Sequence, residues 1–150
     1  MTVATTHSLI DLVRQFHHQL ARHCTQTAHL NQDERVRLLL DYVGRHEAHL
    51  AEALKSYENQ AREKILATWF RNVPTNALPR LDQHALGATS TVDDVITWAV
   101  DMDNAIISFY RILAAEAETP DLKKVLDNLL AMEEREQHRM VRSALRIQDF

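Results

Sequence analysis

The sequence predicts an all-α fold, a bundle of four long helices. Three observations carry this. The 150 residues include only two Gly and three Pro, too few turn residues for a sheet or an irregular fold. Apolar residues recur three or four apart along four separate stretches, the spacing of one helix face. One long loop, Asn72 to Ser90 with Pro74 and Pro79, interrupts the pattern. The length suits one ordinary domain with a sizeable core, so residues 1–150 read as a single four-helix-bundle domain. Its helices fall at roughly 8–29, 32–70, 92–117 and 120–148.

The first helix is expected from Ser8, where Ser8 and Asp11 resemble a capping box. Its apolar stripe reads Leu9, Val13, His17, Leu20, Cys24, Thr27. Asn31 with Glu34 three residues on marks the start of the second helix. That stripe reads Val36, Leu39, Leu40, Val43, Glu47, Leu50, Leu54, Tyr57, and the helical pattern continues to about Phe70. Such a helix is about forty residues long, or ~60 Å. It must either project beyond the bundle or break near Glu58 to Arg62. Ile65, Leu66, Trp69 and Phe70 form an apolar patch on this extension, which either caps the bundle or serves as a homodimer contact.

The loop from Asn72 to Ser90 is long enough to carry the chain back along the bundle as a crossover, near His84 and Trp98. The third helix follows Thr91, with Asp93 and Asp94 in its first turn. Its stripe reads Val95, Ala99, Asp103, Ile106, Tyr110, Leu113. The fourth begins at Thr119 and Pro120, an N-cap followed by proline at the first helical position. It runs almost to the end of the chain.

Composition removes several function classes. The hydrophobic and charged fractions, 45% and 25%, are those of a soluble globular protein. With a net charge of −4 and no run of Lys or Arg, nucleic acid and anionic membrane are poor partners. No apolar window is long enough to span a bilayer. No signal peptide is evident, and the single cysteine, Cys24, suits a reducing compartment, so a cytoplasmic location is expected. Cys24 falls on a core stripe, where thiols are usually inert. No glycine-rich phosphate loop points to nucleotide use.

What remains is charge on apolar faces. In LDNLLAMEEREQHRMV, from Leu126 to Val141, the stripe of Leu126, Leu129 and Leu130 meets Glu133, Glu134 and Gln137 before Met140 and Val141 resume it. A buried carboxylate is costly unless a metal, a histidine, an arginine or water pairs with it. The two halves of the chain form a weak repeat. Aligning LLLDYVGRHEAH with VLDNLLAMEEREQ lays Glu47 over Glu134 and His46 over Glu133. His17 then falls close to Asp103. Each helix thus contributes one polar residue to its stripe: His17, Glu47, Asp103 and Glu134.

The run DNAIISFYRILAAEAETPDLKKVLDNLLAMEEREQH resembles the ferritin-like superfamily, especially its rubrerythrin-like members. Asp103, seven residues before Tyr110, matches the acidic ligand of that pattern, with Asp for Glu. Glu134 and Glu47 match the glutamates of two Glu-x-x-His motifs. The histidine positions carry Gln137 and Leu50, so His138 comes one residue late and His49 one early. The helix 1 position carries His17 in place of a glutamate.

The resemblance implies a ferritin-like bundle with a long second helix and a long crossover between the second and third helices. It implies a core metal site of His17, Glu47, Asp103 and Glu134, assisted by His46, His49 and His138. Iron, manganese or zinc suits such a carboxylate–imidazole set. Redox-active iron there would handle oxygen, peroxide or iron oxidation, with Tyr110 nearby. The residues themselves leave a second reading open: a metal-free structural or interaction bundle whose buried acids pair with histidine, tyrosine or arginine. Whether the chain is an enzyme stays undecided at this level.

Overall fold

Four long helices form where the apolar stripes lie, and each begins on a side-chain cap. A computed structural model describes residues 2–74 and 76–149. Its elements are β1 (Thr2–Thr5), α1 (Thr6–Leu30), α2 (Glu34–Gln60), α3 (Glu63–Leu66), β2 (Trp69–Val73), α4 (Val92–Glu116) and α5 (Pro120–Gln148). A 3-10 turn at Leu81–Gln83 lies between β2 and α4. Thr91 and Thr119 cap α4 and α5 at the expected positions, taking the N–H groups of Asp94 and Leu122.

Two caps differ from expectation. α1 starts two residues earlier, at Thr6, because Thr5 and Ser8 form the capping box reciprocally. Asp11 is instead held by Arg14, Nη2 to Oδ1 2.5 Å. At α2 the cap is Asp33, which accepts from the N–H groups of Arg35 and Val36. Asn31 lies outside that helix and closes α1, its Oδ1 accepting from Asp33 N at 2.9 Å.

The largest departure is at the end of the second helix. α2 stops at Gln60, and Ala61 turns extended with φ −71° and ψ 151°. After the short α3, residues Trp69–Val73 form a strand that pairs antiparallel with β1, Ala4 opposite Phe70 and Thr5 opposite Trp69, with a bulge beyond Ala4. A helix to Phe70 would leave its last turns without a partner, whereas the strand satisfies its backbone against the β-branched stretch at the N-terminus. The four residues of the predicted patch are therefore split. Phe70 packs in the core, Ile65 and Leu66 are half-buried, and Trp69 is 59% exposed on the ribbon.

The connections set the helix directions. Thr6 N donates to Thr68 O at 2.8 Å, so α1 begins beside the chain that follows α2. Asn31, between α1 and α2, donates from Nδ2 to Ser90 O at 3.0 Å, just before α4. Gln148, at the end of α5, bonds Asp93 at the start of α4. Thus α1 and α2 are antiparallel, α2 and α4 start at the same end, and α5 returns. The chain between β2 and α4 travels the length of the bundle, which is the expected crossover. It is pinned midway, where Leu86 N donates to His23 Nε2 at 2.9 Å and Trp98 Nε1 donates to His84 O at 2.7 Å.

The predicted stripes face inward. Leu9, Val13, Leu20 and Cys24 of α1 pack with Val36, Leu40 and Val43 of α2, and all are buried. Gly44 lies one turn from Glu47; a Cβ there would meet Cys24 Cβ at 3.2 Å, so α1 and α2 approach closely beside the polar part of the core. Asn31→Ala removes both bonds that tie the α1–α2 turn to the end of the crossover. A loss of about 1–3 kcal/mol in unfolding free energy is expected by chemical denaturation, the cost of leaving buried polar groups unmet. An unchanged midpoint would show that the crossover is held elsewhere.

Candidate metal centre

Each long helix brings one or two polar side chains to the middle of the bundle, at positions where three-and-four spacing calls for an apolar one. From α1 comes His17, from α2 His46 and Glu47, from α4 Asp103 and from α5 Glu133. His17, Glu47, Asp103 and Glu133 are at most 3% exposed, and His46 is 9% exposed. Among the described residues no Lys or Arg is buried. The charge of three buried carboxylates is therefore met inside the protein by histidine or by nothing.

His17 lies between two of them. Its Nδ1–H donates to Glu47 Oε2 at 2.5 Å and its Nε2–H to Glu133 Oε1 at 2.9 Å. A neutral imidazole has one N–H, so donating to both carboxylates requires the imidazolium. Burial opposes that charge, but Glu133 and Glu47 outweigh it and hold the His17 pKa well above 6.5. The result is a charge-assisted clasp of α1, α2 and α5.

The other half of the cluster lacks partners. Both carboxylate oxygens of Asp103, Nε2 of His46 and the hydroxyl of Tyr110 are buried without a hydrogen-bond partner. Asp103 lies against Glu47, and two such acids can bond only if one keeps its proton. Burial first, then the charge on Glu47, pushes the Asp103 carboxyl well above its usual range. Burial lowers the His46 pKa, leaving a neutral ring with a free lone pair, the form that binds metals. Burial likewise raises the pKa of Tyr110, which stays a phenol, and of Cys24, which stays a thiol.

Of the residues expected inside, His17, Glu47, Asp103 and His46 come together. Glu134 does not. It stands at the rim of the α4–α5 face, its side chain 42% exposed and paired with Arg111 at 3.1 Å. Its neighbour Glu133 points inward instead. His49 and His138 are exposed on the outer faces of α2 and α5. A single residue turns a helix by about 100°, which moves all three out of reach of the core. Counting by four from the buried Leu129 lands on Glu133, and another seven reaches Met140. That signal was in the sequence; the alignment of the two halves displaced it by one.

Donor chemistry decides whether a metal suits the cluster. One ligand atom each from His46, Glu47 and Asp103 lie within 4.8 Å of one another. Bonds of about 2.0–2.2 Å place neighbouring ligands roughly 3–4 Å apart, so small side-chain movements would bring these three onto one ion. An imidazole with two carboxylates suits iron, manganese or zinc. An ion there would take up the unpartnered atoms of Asp103 and His46 together. The set fits one ion.

No family model matches the chain, and no curated protein matches it in sequence. Its fold does have a counterpart. The crystal structure of a protein assigned as a ferritin-like diiron-carboxylate protein from Thermotoga maritima superposes with a TM-score of 0.65, over 96% of this chain and 97% of that one, at 11% sequence identity. At that identity the likeness concerns the fold alone. The chain has a ferritin-like helical-bundle fold, with a polar cluster of histidine and carboxylates buried at its centre.

Proposed function

We propose that this ferritin-like bundle binds a divalent metal ion, iron, manganese or zinc, through His46, Glu47 and Asp103. The carrying observation is that Asp103, buried among other acids, has no hydrogen-bond partner on either oxygen, while a neutral imidazole with a free nitrogen shares the site. Such a group costs several kcal/mol unless a cation or proton satisfies it. Iron or manganese in this position would supply one-electron chemistry of the di-iron-protein kind or iron handling. Zinc would supply a structural or Lewis-acid role. The chain's own part is to hold the donors in a dry core, to keep His46 neutral, and to place the phenol of Tyr110 two turns along α4 from Asp103.

A second reading draws on the His17 clasp. Because it already joins three helices, the bundle has a route to a folded state without metal, as a structural or interaction protein. The two readings part on Asp103→Asn. If the carboxylate is there for an ion, the amide variant loses the rise in melting temperature that Mn²⁺, Fe²⁺ or Zn²⁺ gives the parent. At 100 times the dissociation constant that rise reflects about 2.7 kcal/mol. The same variant should be more stable than the metal-free parent by about 1–3 kcal/mol, since it removes a buried acid. A parent protein whose melting temperature and metal content ignore all three ions would leave the structural reading standing.

Proton linkage gives a separate test on metal-free protein. The folded pKa of His17 is raised above 6.5, so its stabilisation is complete below pH 6.5 and is lost as pH rises through the folded value. Asp103 is also raised, so its protonated form favours the folded state and the benefit fades as pH climbs from 3.8 through the raised value. His46, lowered, costs stability only below pH 6.5. Above pH 6.5 the two raised groups therefore act in one direction. Stability should fall between pH 6.5 and 9, His17 contributing at most about 1.4 kcal/mol per pH unit. His17→Gln should flatten the slope. Unfolding curves that hold steady or improve over that range would refute the clasp as described.

A further inference from the structure

Resting on the metal-binding reading above, we infer that this core takes one divalent ion and not two, because His17 already occupies the role of a second cation. Each ring nitrogen of His17 is committed to a different carboxylate, Glu47 on α2 and Glu133 on α5. Those carboxylates come from different helices, as bridging ligands between two ions would. Glu133 is thereby tied to the imidazolium, and it falls outside the group of donors that can share an ion.

Charge leads to the same count. Glu47, Asp103 and Glu133 are the three buried acids, together −3, and no buried Lys or Arg offsets them. One imidazolium at +1 and one divalent ion at +2 bring the core to neutrality. A second ion would require His17 to shed a proton and give up a carboxylate. The core would then hold +4 against −3, an uncompensated charge in a dry interior. Two metals are thus disfavoured on both ligand supply and charge. The chain differs in this from what a di-iron neighbour of the same fold would suggest, and the difference lies in one residue on α1.

The inference also says what reverses it. His17→Glu replaces the imidazolium by a carboxylate. The core then carries −4, which two divalent ions neutralise, and Glu133 is released to act as a ligand.

Metal-free protein titrated with Mn²⁺ by calorimetry, with elemental analysis after desalting, reads the count directly. One ion per chain is expected, and electron paramagnetic resonance of the saturated protein should show the hyperfine-split signal of isolated Mn²⁺. Two ions, or an exchange-coupled signal, would overturn this inference while leaving the metal site itself in place. No bound ion would overturn both. In His17→Glu, with folding verified by circular dichroism, the count should double; a count that stays at one would show that His17 does not stand in for a second ion. The wild-type count decides the matter even if that variant does not fold.

Discussion

A protonated histidine held between two buried carboxylates is the constraint around which this bundle is built. Ion pairs in a dry interior cost several kcal/mol in lost hydration, and good geometry must return it. His17 does so by using both ring nitrogens, one for Glu47 and one for Glu133. The three groups come from α1, α2 and α5, so their meeting sets the rotation and the axial register of three helices at once. An apolar core of leucines tolerates slippage by a turn; a ring that must reach a carboxylate on each side does not. The polar centre thereby specifies the packing as well as any chemistry.

The rest of the structure holds that register. Thr5, Asp33, Thr91 and Thr119 fix where the four long helices begin. Gly44 lets α1 and α2 close to a distance a side chain would resist, one turn from Glu47. The crossover is fastened by Asn31, His23 and Trp98, so α4 enters from the end where α2 also starts. That direction brings Asp103 beside Glu47. The β1–β2 ribbon closes the opposite end, burying Phe70 and Val73. None of these contacts touches the His46 and Asp103 atoms left without partners, yet all of them determine where those atoms lie.

Much of this could be read from spacing, and the failures are informative. Helical stripes located His17, Glu47 and Asp103 on buried faces because three-and-four periodicity is a property of one helix alone. The exchange of Glu133 for Glu134 arose from comparing two helices. A repeat detected through Leu-rich runs has no means of telling adjacent registers apart, although Leu126, Leu129 and Met140 taken within α5 single out Glu133. The cap at Asp33 in place of Asn31 is a choice between neighbours that both cap well. Asn31 is drawn away by Ser90, a partner distant in sequence. The ribbon was invisible for the same reason: β1 is short, and Trp69–Val73 reads as strand only once residues 2–5 lie beside it. What periodicity within one segment controls was legible; what long-range pairing decides was not.

The buried cluster is finally uneven, and this bears on what it does. On the side of Glu133 every nitrogen of His17 is engaged and the carboxylates are answered. On the side of Asp103 an acid lies against Glu47 with a neutral imidazole beside it, and nothing in the protein completes their bonds. A core selected only for stability would gain by replacing Asp103 with an apolar or amide side chain of similar volume, as buried ionic groups often show on substitution. The bundle instead closes half of its polar centre with a proton and leaves the other half short of positive charge. His46, the most exposed member at 9%, borders that open half. A divalent cation is the species that meets the charge, the free lone pair and the carboxylate oxygens together, which places any chemistry of this core on the α2–α4 side and assigns α1 and α5 to holding it shut.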